Sequence, residues 1–177
     1  FTVVTDGLTT DTSSGQNLDN ITLTAPKGSS IVSPITTLMV EANLNVNSIG
    51  KVLGLPEGLN PTQFNPFGEN SDIGDAVSVE IISHQIMTTV TAVATALEGV
   101  GVVSEIAYSI AFEAFAEVMK AKGLTTDSSS NLMVEFEFVD GVIDLAGEKA
   151  NNKVAEDLSK IDFETDQLTN SIINVNS

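Results

Sequence analysis

The residues able to do chemistry are few and scattered. The single histidine, His84, shares a helical stripe with Thr88, Thr91 and Thr95. A histidine acting as a general base needs an oriented partner, and none is spaced for it here. His84 therefore reads as a polar or helix-interface position. No serine or threonine lies in a nucleophile elbow, and Gly99-Val100-Gly101 has the spacing of an interhelical turn, not of a dinucleotide loop. Carboxylates pair at Glu113 and Glu117 and at Asp72 and Asp75, but among 24 acidic residues such neighbours arise by chance. Glycoside hydrolysis needs two carboxyl groups facing each other across a cleft, usually beside aromatic platforms. With one Tyr and no Trp the chain is poorly equipped for that. The expectation is a noncatalytic protein.

The remaining chemistry open to so many carboxylates is cation binding. Calcium takes six to eight oxygens from carboxylates, carbonyls and water. Asp6, Asp11 and Asp19 share one glycine-containing polar segment, and Asp72 and Asp75 stand with Glu69 and Asn70 in another. These five aspartates are the calcium candidates. Neither segment matches a twelve-residue EF-hand loop, and the plainer role for Asp72 or Asp75 is a favourable charge at a helix N-terminus.

Composition bounds the rest. The chain has 177 residues, enough for one domain with a small appendage, and 42% of them are hydrophobic. Seven Lys and Arg stand against 24 Asp and Glu, a net charge of -17. Such a surface repels phosphate backbones and anionic lipid heads, so neither nucleic acid nor membrane insertion is expected. It stays soluble in salt, which fits a saline habitat. No apolar run comes near the roughly 20 residues of a bilayer span. The absence of cysteine excludes disulfides and thiolate sites. Phe1 is not an initiator methionine, so the chain is expected to be a processed or excerpted part of something longer.

These features must be positioned by a mostly helical chain. Residues 1–25 form a strand-and-turn segment. Phe1 to Thr5 is β-branched and short, Asp6-Gly7 signals a turn, and Ile21 to Thr24 alternates. Two such strands are too few for a stable sheet and should pair with each other, a neighbouring domain or a partner chain. Phe1, Val3, Val4, Ile21 and Leu23 are the candidate assembly strand residues. Residues 26–177 read as a helical domain. Ser33-Pro34 is a cap followed by proline at the first helical position. That helix carries Ile35, Leu38, Met39 and Ala42, and a second short one carries Ile49, Val52 and Leu53 and stops at Gly54. Phe64 and Phe67 are expected to anchor the proline-rich loop that follows. Val79, Ile82, Ile86, Val90, Val93 and Leu97 keep helical spacing. So do Tyr108, Phe112, Phe115 and Met119, with Ile106 and Ile110 widening the stripe, and together they predict a helical hairpin. Leu132, Phe136, Val139, Ile143, Ala146 and Ala150 space as a helix, although Leu132 to Phe138 also alternates like a strand. Val154, Leu158, Ile161, Thr165, Leu168 and Ile172 predict a terminal helix. The fold class is thus mainly α: a helical bundle built on a hairpin, with a small N-terminal β element.

Two stretches carry a resemblance. Leu23 to Met39, LTAPKGSSIVSPITTLM, is similar to a segment of very large secreted or surface-attached proteins of aquatic bacteria, where a strand, an Ala-Pro and Gly turn and a V-[ST]-P-[LI]-T-T-L helix start recur. Leu53 to Phe67, LGLPEGLNPTQFNPF, resembles the LGLP…DP loop that follows there, with Asn65-Pro66 in place of Asp-Pro. The residues before Leu23 look like the end of a preceding β-rich module. The resemblance implies an extracellular, cell-surface location and a noncatalytic structural or adhesive role in a surface, matrix or filament protein. Its partners would be neighbouring modules of a longer chain or identical subunits. Two other readings stay open: a peptide- or glycan-binding module, which a concave pocket lined by Phe and Tyr would favour, and an accessory domain of a secreted enzyme.

Overall fold

The computed structural model describes residues 2–4, 21–123, 132–153 and 165–177. Two short strands, β1 (Thr2–Val4) and β2 (Thr22–Thr24), precede α1 (Pro34–Glu41), α2 (Val46–Leu53), α3 (Ile73–Gly99), α4 (Ser104–Gly123), a 3-10 turn at Leu132–Val134, α5 (Phe136–Lys153) and α6 (Thr165–Asn176). The chain is a mainly α bundle with a small N-terminal β element, as its periodicity predicts. The strands pair antiparallel with each other, Val3 opposite Leu23, which is the first of the three pairings open to them. Ile21 is buried in the same core as the helices and Leu23 packs against it, so β2 and its flanks are packed onto the helical domain, where β2 contacts α1 and α4.

Helix ends follow local chemistry. Ser33 and Thr36 form a capping box at α1, the Ser33 hydroxyl accepting from Thr36 N at 3.2 Å and the Thr36 hydroxyl accepting from Ser33 N at 2.8 Å. Asn45 caps α2 by accepting from Ser48 N, and Gly54 ends that helix in the left-handed conformation at φ 67, where a side chain would be strained. Asp72 caps α3 by accepting from Gly74 N and Asp75 N. The α3–α4 turn closes with Gly101 at φ 97 and with Val102 N donating to Leu97 O.

The core gathers around α4, which contacts α3, α5, α1, α2 and β2. Ala107, Ile110, Ala111, Ala114, Phe115 and Met119 of α4 are fully enclosed. Alanines there let neighbouring backbones approach closely, while Phe115 meets Phe138 of α5 edge to face at 5.1 Å. Ion pairs stitch the same two helices. Lys149 reaches Glu117 at 2.6 Å and Glu113 at 3.7 Å, Lys153 reaches Glu113, and Lys122 reaches Glu137. The C-terminus is pinned by polar contacts. Gln85 Nε2 donates to Asn176 O at 2.6 Å, and Asn176 Nδ2 donates to Thr89 Oγ1 and Met133 O.

Several expectations need correction. Phe136 and Ile106 are 42% and 40% exposed, and Phe138 is enclosed instead. The segment from Leu132 begins as a 3-10 turn, so the α ladder starts only at Glu135 O; Val139, Ile143, Ala146 and Ala150 lie inward as predicted, and Phe138 and Val142 join them. Phe67 is 66% exposed and is no core anchor, whereas Phe64 does pack on the core. Leu168 and Ile172 lie on α6 as predicted, while Val154, Leu158 and Ile161 fall outside the described residues. Among the described helices α3 alone has the length and apolar character of a bilayer span, where no such run is expected from the sequence. Its hydropathy comes from two sides. Val79, Ile86, Val90 and Leu97 face the core, and Ile73, Val77 and Ile81 face outward.

Two predictions follow the α4–α5 seam. Phe115→Ala should lower unfolding free energy by about 3–5 kcal/mol, the usual cost of an enclosed aromatic cavity, measured by urea denaturation. At Glu113 burial pushes the carboxyl up, but the Lys153 hydrogen bond and charge, the Ser109 hydrogen bond and the Lys149 charge outweigh it and hold the group below its ordinary value. Its stabilisation is therefore present above the unfolded carboxyl value of about 4.3 and is lost as pH falls through the lower folded value. Glu113→Gln should cost about 1 kcal/mol at pH 7, and the two stability curves should converge in acid.

Candidate functional site

Two loops and one helix face enclose a cleft of about 360 Å³. The β2–α1 connection supplies Ile31, Val32 and Pro34, and β2 contributes Leu23 at the floor beside Ile21. The proline-rich loop between α2 and α3 supplies Pro61, Phe64, Pro66 and Phe67 as the opposite wall. Helix α3 closes the third side with Val79, Glu80, Ser83, His84 and Met87. The volume and the mixture of apolar walls with a few polar groups are those of a small-ligand or side-chain pocket.

The walls are held by named bonds. Thr36 and Thr37, both buried, weld the end of β2 to the first turn of α1. The Thr37 hydroxyl accepts from Thr24 N at 3.0 Å and donates to Ser33 O at 2.9 Å, and the Thr36 hydroxyl donates to Thr24 O at 3.0 Å. The two loops are tied to each other. Ser30 N and Ile31 N donate to Thr62 O at 2.9 and 3.2 Å, and Gln63 Nε2 donates to Gly28 O at 3.0 Å. Asn65 shapes the outer lip, its side-chain oxygen accepting from Phe67 N at 3.0 Å and its backbone oxygen from Gly68 N. An Asn there makes the same turn-forming bond that an Asp would, without the charge. A Cβ on Gly68 would lie 2.9 Å from Ser71 Oγ and 3.1 Å from Asn65 O, so the lip turns where no side chain fits.

The candidate residues fall out as follows. Asp6, Asp11, Asp19 and Phe1 lie outside the described residues. Asp72 is occupied as the α3 cap and Asp75 sits in the first turn, the helix-end role open to them from the start. Among the described residues no three His, Asp or Glu side chains converge as a metal site would require. Val3 and Val4 belong to β1 and pair with β2, while Ile21 and Leu23 turn toward the core and cleft. Glu113 and Glu117 are held by lysines of α5. His84 is exposed at the cleft mouth. Tyr108 is away from the cleft, its phenol pushed up by burial against a hydrogen bond with Thr91. The cleft thus has the Phe but not the Tyr that a ligand pocket was expected to show. Sequence reasoning did not assemble it. The available signal was two apolar, proline-punctuated loops, Ile31 to Pro34 and Pro61 to Phe67, each with more hydrophobic residues than a solvated loop needs.

No family model, no curated protein and no solved structure matches this chain.

The Thr24–Thr37 bond joins the ribbon to the bundle. Thr37→Val keeps the shape but leaves Thr24 N without its acceptor. It should cost about 1–3 kcal/mol and speed amide exchange at Thr24, as read by hydrogen–deuterium exchange.

Proposed function

We propose that the chain is a noncatalytic adhesive or structural module of an extracellular bacterial surface, matrix or filament protein, and that the cleft is its working surface. One observation carries the reading. The two stretches that resemble surface-protein segments, Leu23 to Met39 and Leu53 to Phe67, come together as the two loop walls of a single cleft, joined by the Ser30–Thr62 and Gln63–Gly28 bonds. A motif pair recurring for packing alone would have no need to keep Phe67 two-thirds exposed at the rim. Large exposed apolar groups beside a recess are the usual mark of an interaction site. An acidic, cysteine-free surface fits an extracellular location, and the expected partners at the cleft are neighbouring modules of a longer chain.

Beads coated with the protein test this against whole cells and extracellular matrix of a surface-attached culture. Phe67→Asp, at an exposed position, should leave the melting temperature unchanged and lower bead retention at least about tenfold, a loss of about 1.4 kcal/mol. Unchanged retention would remove the cleft from the function. Turnover of ester, glycoside or peptide substrates by the purified protein would overturn the noncatalytic part.

A further inference from the structure

We infer that the cleft takes an extended peptide carrying a large apolar side chain and, two or four positions away, a Lys or Arg. The inference rests on the cleft being the working surface and names what fills it. Phe64 is a wall shared by two recesses. On one side is the mainly apolar cleft of Val32, Pro34, Phe67 and Met87, with Glu80 and His84 on its α3 side. On the other is a shallow notch of about 410 Å³ whose charged groups are Glu57 and Asp75. Among the described residues no lysine lines either recess. An apolar compartment and an anionic one, separated by a single aromatic side chain, match a ligand with an apolar group and a cation a short distance apart.

An extended peptide can supply such a pair. In an extended chain the side chains at i and i+2 point to the same side about 7 Å apart, so one enters the cleft and the next on that side clears Phe64 into the notch. The charge of the whole molecule acts in the same direction. A net charge of -17 draws basic segments in and raises their rate of encounter. A second copy of the chain would set another -17 against the same acidic rim, and anionic lipid or sulfated glycan would meet the same repulsion. A neutral glycan would leave Glu57 and Asp75 without a counter-charge.

Capped, fluorescein-labelled nonapeptides on a Gly-Ser background test this by fluorescence anisotropy. One set carries Phe with Lys two or four positions on. The controls replace Lys by Ser or Glu, or Phe by Ser. The Phe–Lys peptides should bind at least about tenfold tighter than Phe–Glu, and the difference should shrink as salt shortens the screening length from about 10 Å toward 3 Å. Glu57→Gln with Asp75→Asn should erase the Lys advantage and leave the Phe–Ser peptide unaffected. If that pair lowers the melting temperature, Glu57→Gln alone should still at least halve the advantage. Phe67→Ala should weaken every Phe peptide. Equal binding of Lys, Ser and Glu peptides, or a Lys advantage that survives the acidic-notch variants, overturns the proposal. So does tighter binding of a neutral oligosaccharide than of any peptide. If no peptide binds while Phe67→Asp still abolishes bead retention, the peptide proposal fails and the cleft reading stands. If Phe67→Asp has no effect on retention, both fail.

Discussion

The fold depends on burying α4 from nearly every direction. A helix in a small bundle usually keeps about half its circumference for solvent. Here Ala107, Ala111, Ala114 and Ala116 are enclosed together with Ile110, Phe112, Phe115 and Met119, leaving a narrow polar stripe through Ser109, Glu113, Glu117 and Lys120. Close packing on so many sides demands small side chains, and the alanines meet that demand while keeping high helix propensity. They would be poor at filling space alone. The large residues between them, Phe115 above all, restore the density that a well-packed interior requires. Helix α3 lies on one side of α4, α5 on another, and α1, α2 and β2 on a third. The cleft exists because the third side is made of short pieces and loops that cannot cover α3 completely.

An acidic chain of this kind must place its few cations where they matter. All seven basic residues are lysines, and three of them, Lys122, Lys149 and Lys153, bridge α5 and α4. Exposed pairs of this kind are individually weak. Their arrangement matters more, because Lys149 and Lys153 converge on Glu113, which is part-buried and would otherwise oppose the packing of the two helices. Glu41 shows the contrary case nearby. Burial raises its carboxyl, the charge of Glu113 raises it further, and Lys153 only partly compensates. One lysine thus serves two carboxylates unequally, and the α4–α5 seam receives the larger share. Among the described residues no lysine lines the cleft or the notch beside it, so these bridging lysines gather at the α4–α5 seam and not there.

Much of this architecture is legible in the residues. Ser33-Pro34 and Gly54 punctuate the chain where helices begin and end, and Asp72 takes the helix-start role open to it, because caps are local chemistry and need no tertiary context. The hairpin stripes hold for the same reason, since a period of 3.6 persists over many turns. Errors gather where local and distant forces compete. The stripe from Leu132 holds at Val139, Ile143, Ala146 and Ala150 and fails at Phe136, where the 3-10 turn at Leu132–Val134 gives way to α5 and the helical phase does not carry back through it. Phe67 reads as an anchor by hydrophobicity alone, yet a phenyl ring in a loop is buried only if the fold brings something to cover it. The cleft was beyond reach for a similar reason. Ser30 and Thr62 are 32 positions apart, and nothing in either loop announces the other. Thr36 and Thr37 are visible as a repeated pair, but their task of holding the β2 backbone emerges only with Thr24 in place.

The way those loops are held bears on how the cleft can work. Loop residues normally lose substantial conformational freedom when they close on a partner. Here that ordering is already accomplished. Thr62 receives two backbone donors from the opposite loop, and its own N–H and hydroxyl both donate to Asn60 Oδ1. Pro61 and Pro66 restrict the backbone on either side of Phe64, and Asn65 fixes the lip by bonds to Phe67 N and Gly68 N. The floor is equally constrained, since Leu23 lies one residue before the Thr24 weld. What stays free is the Phe67 side chain at the mouth, a single large group with few rotamers. A cleft with rigid walls and one adjustable aromatic at its entrance spends little of its contact energy on ordering itself. Even a modest buried area can then give usable affinity. The same bonds tie the cleft floor through Thr24 to Thr36 and Thr37 of α1, which in turn packs on α4, so the cleft and the bundle core are held as one piece.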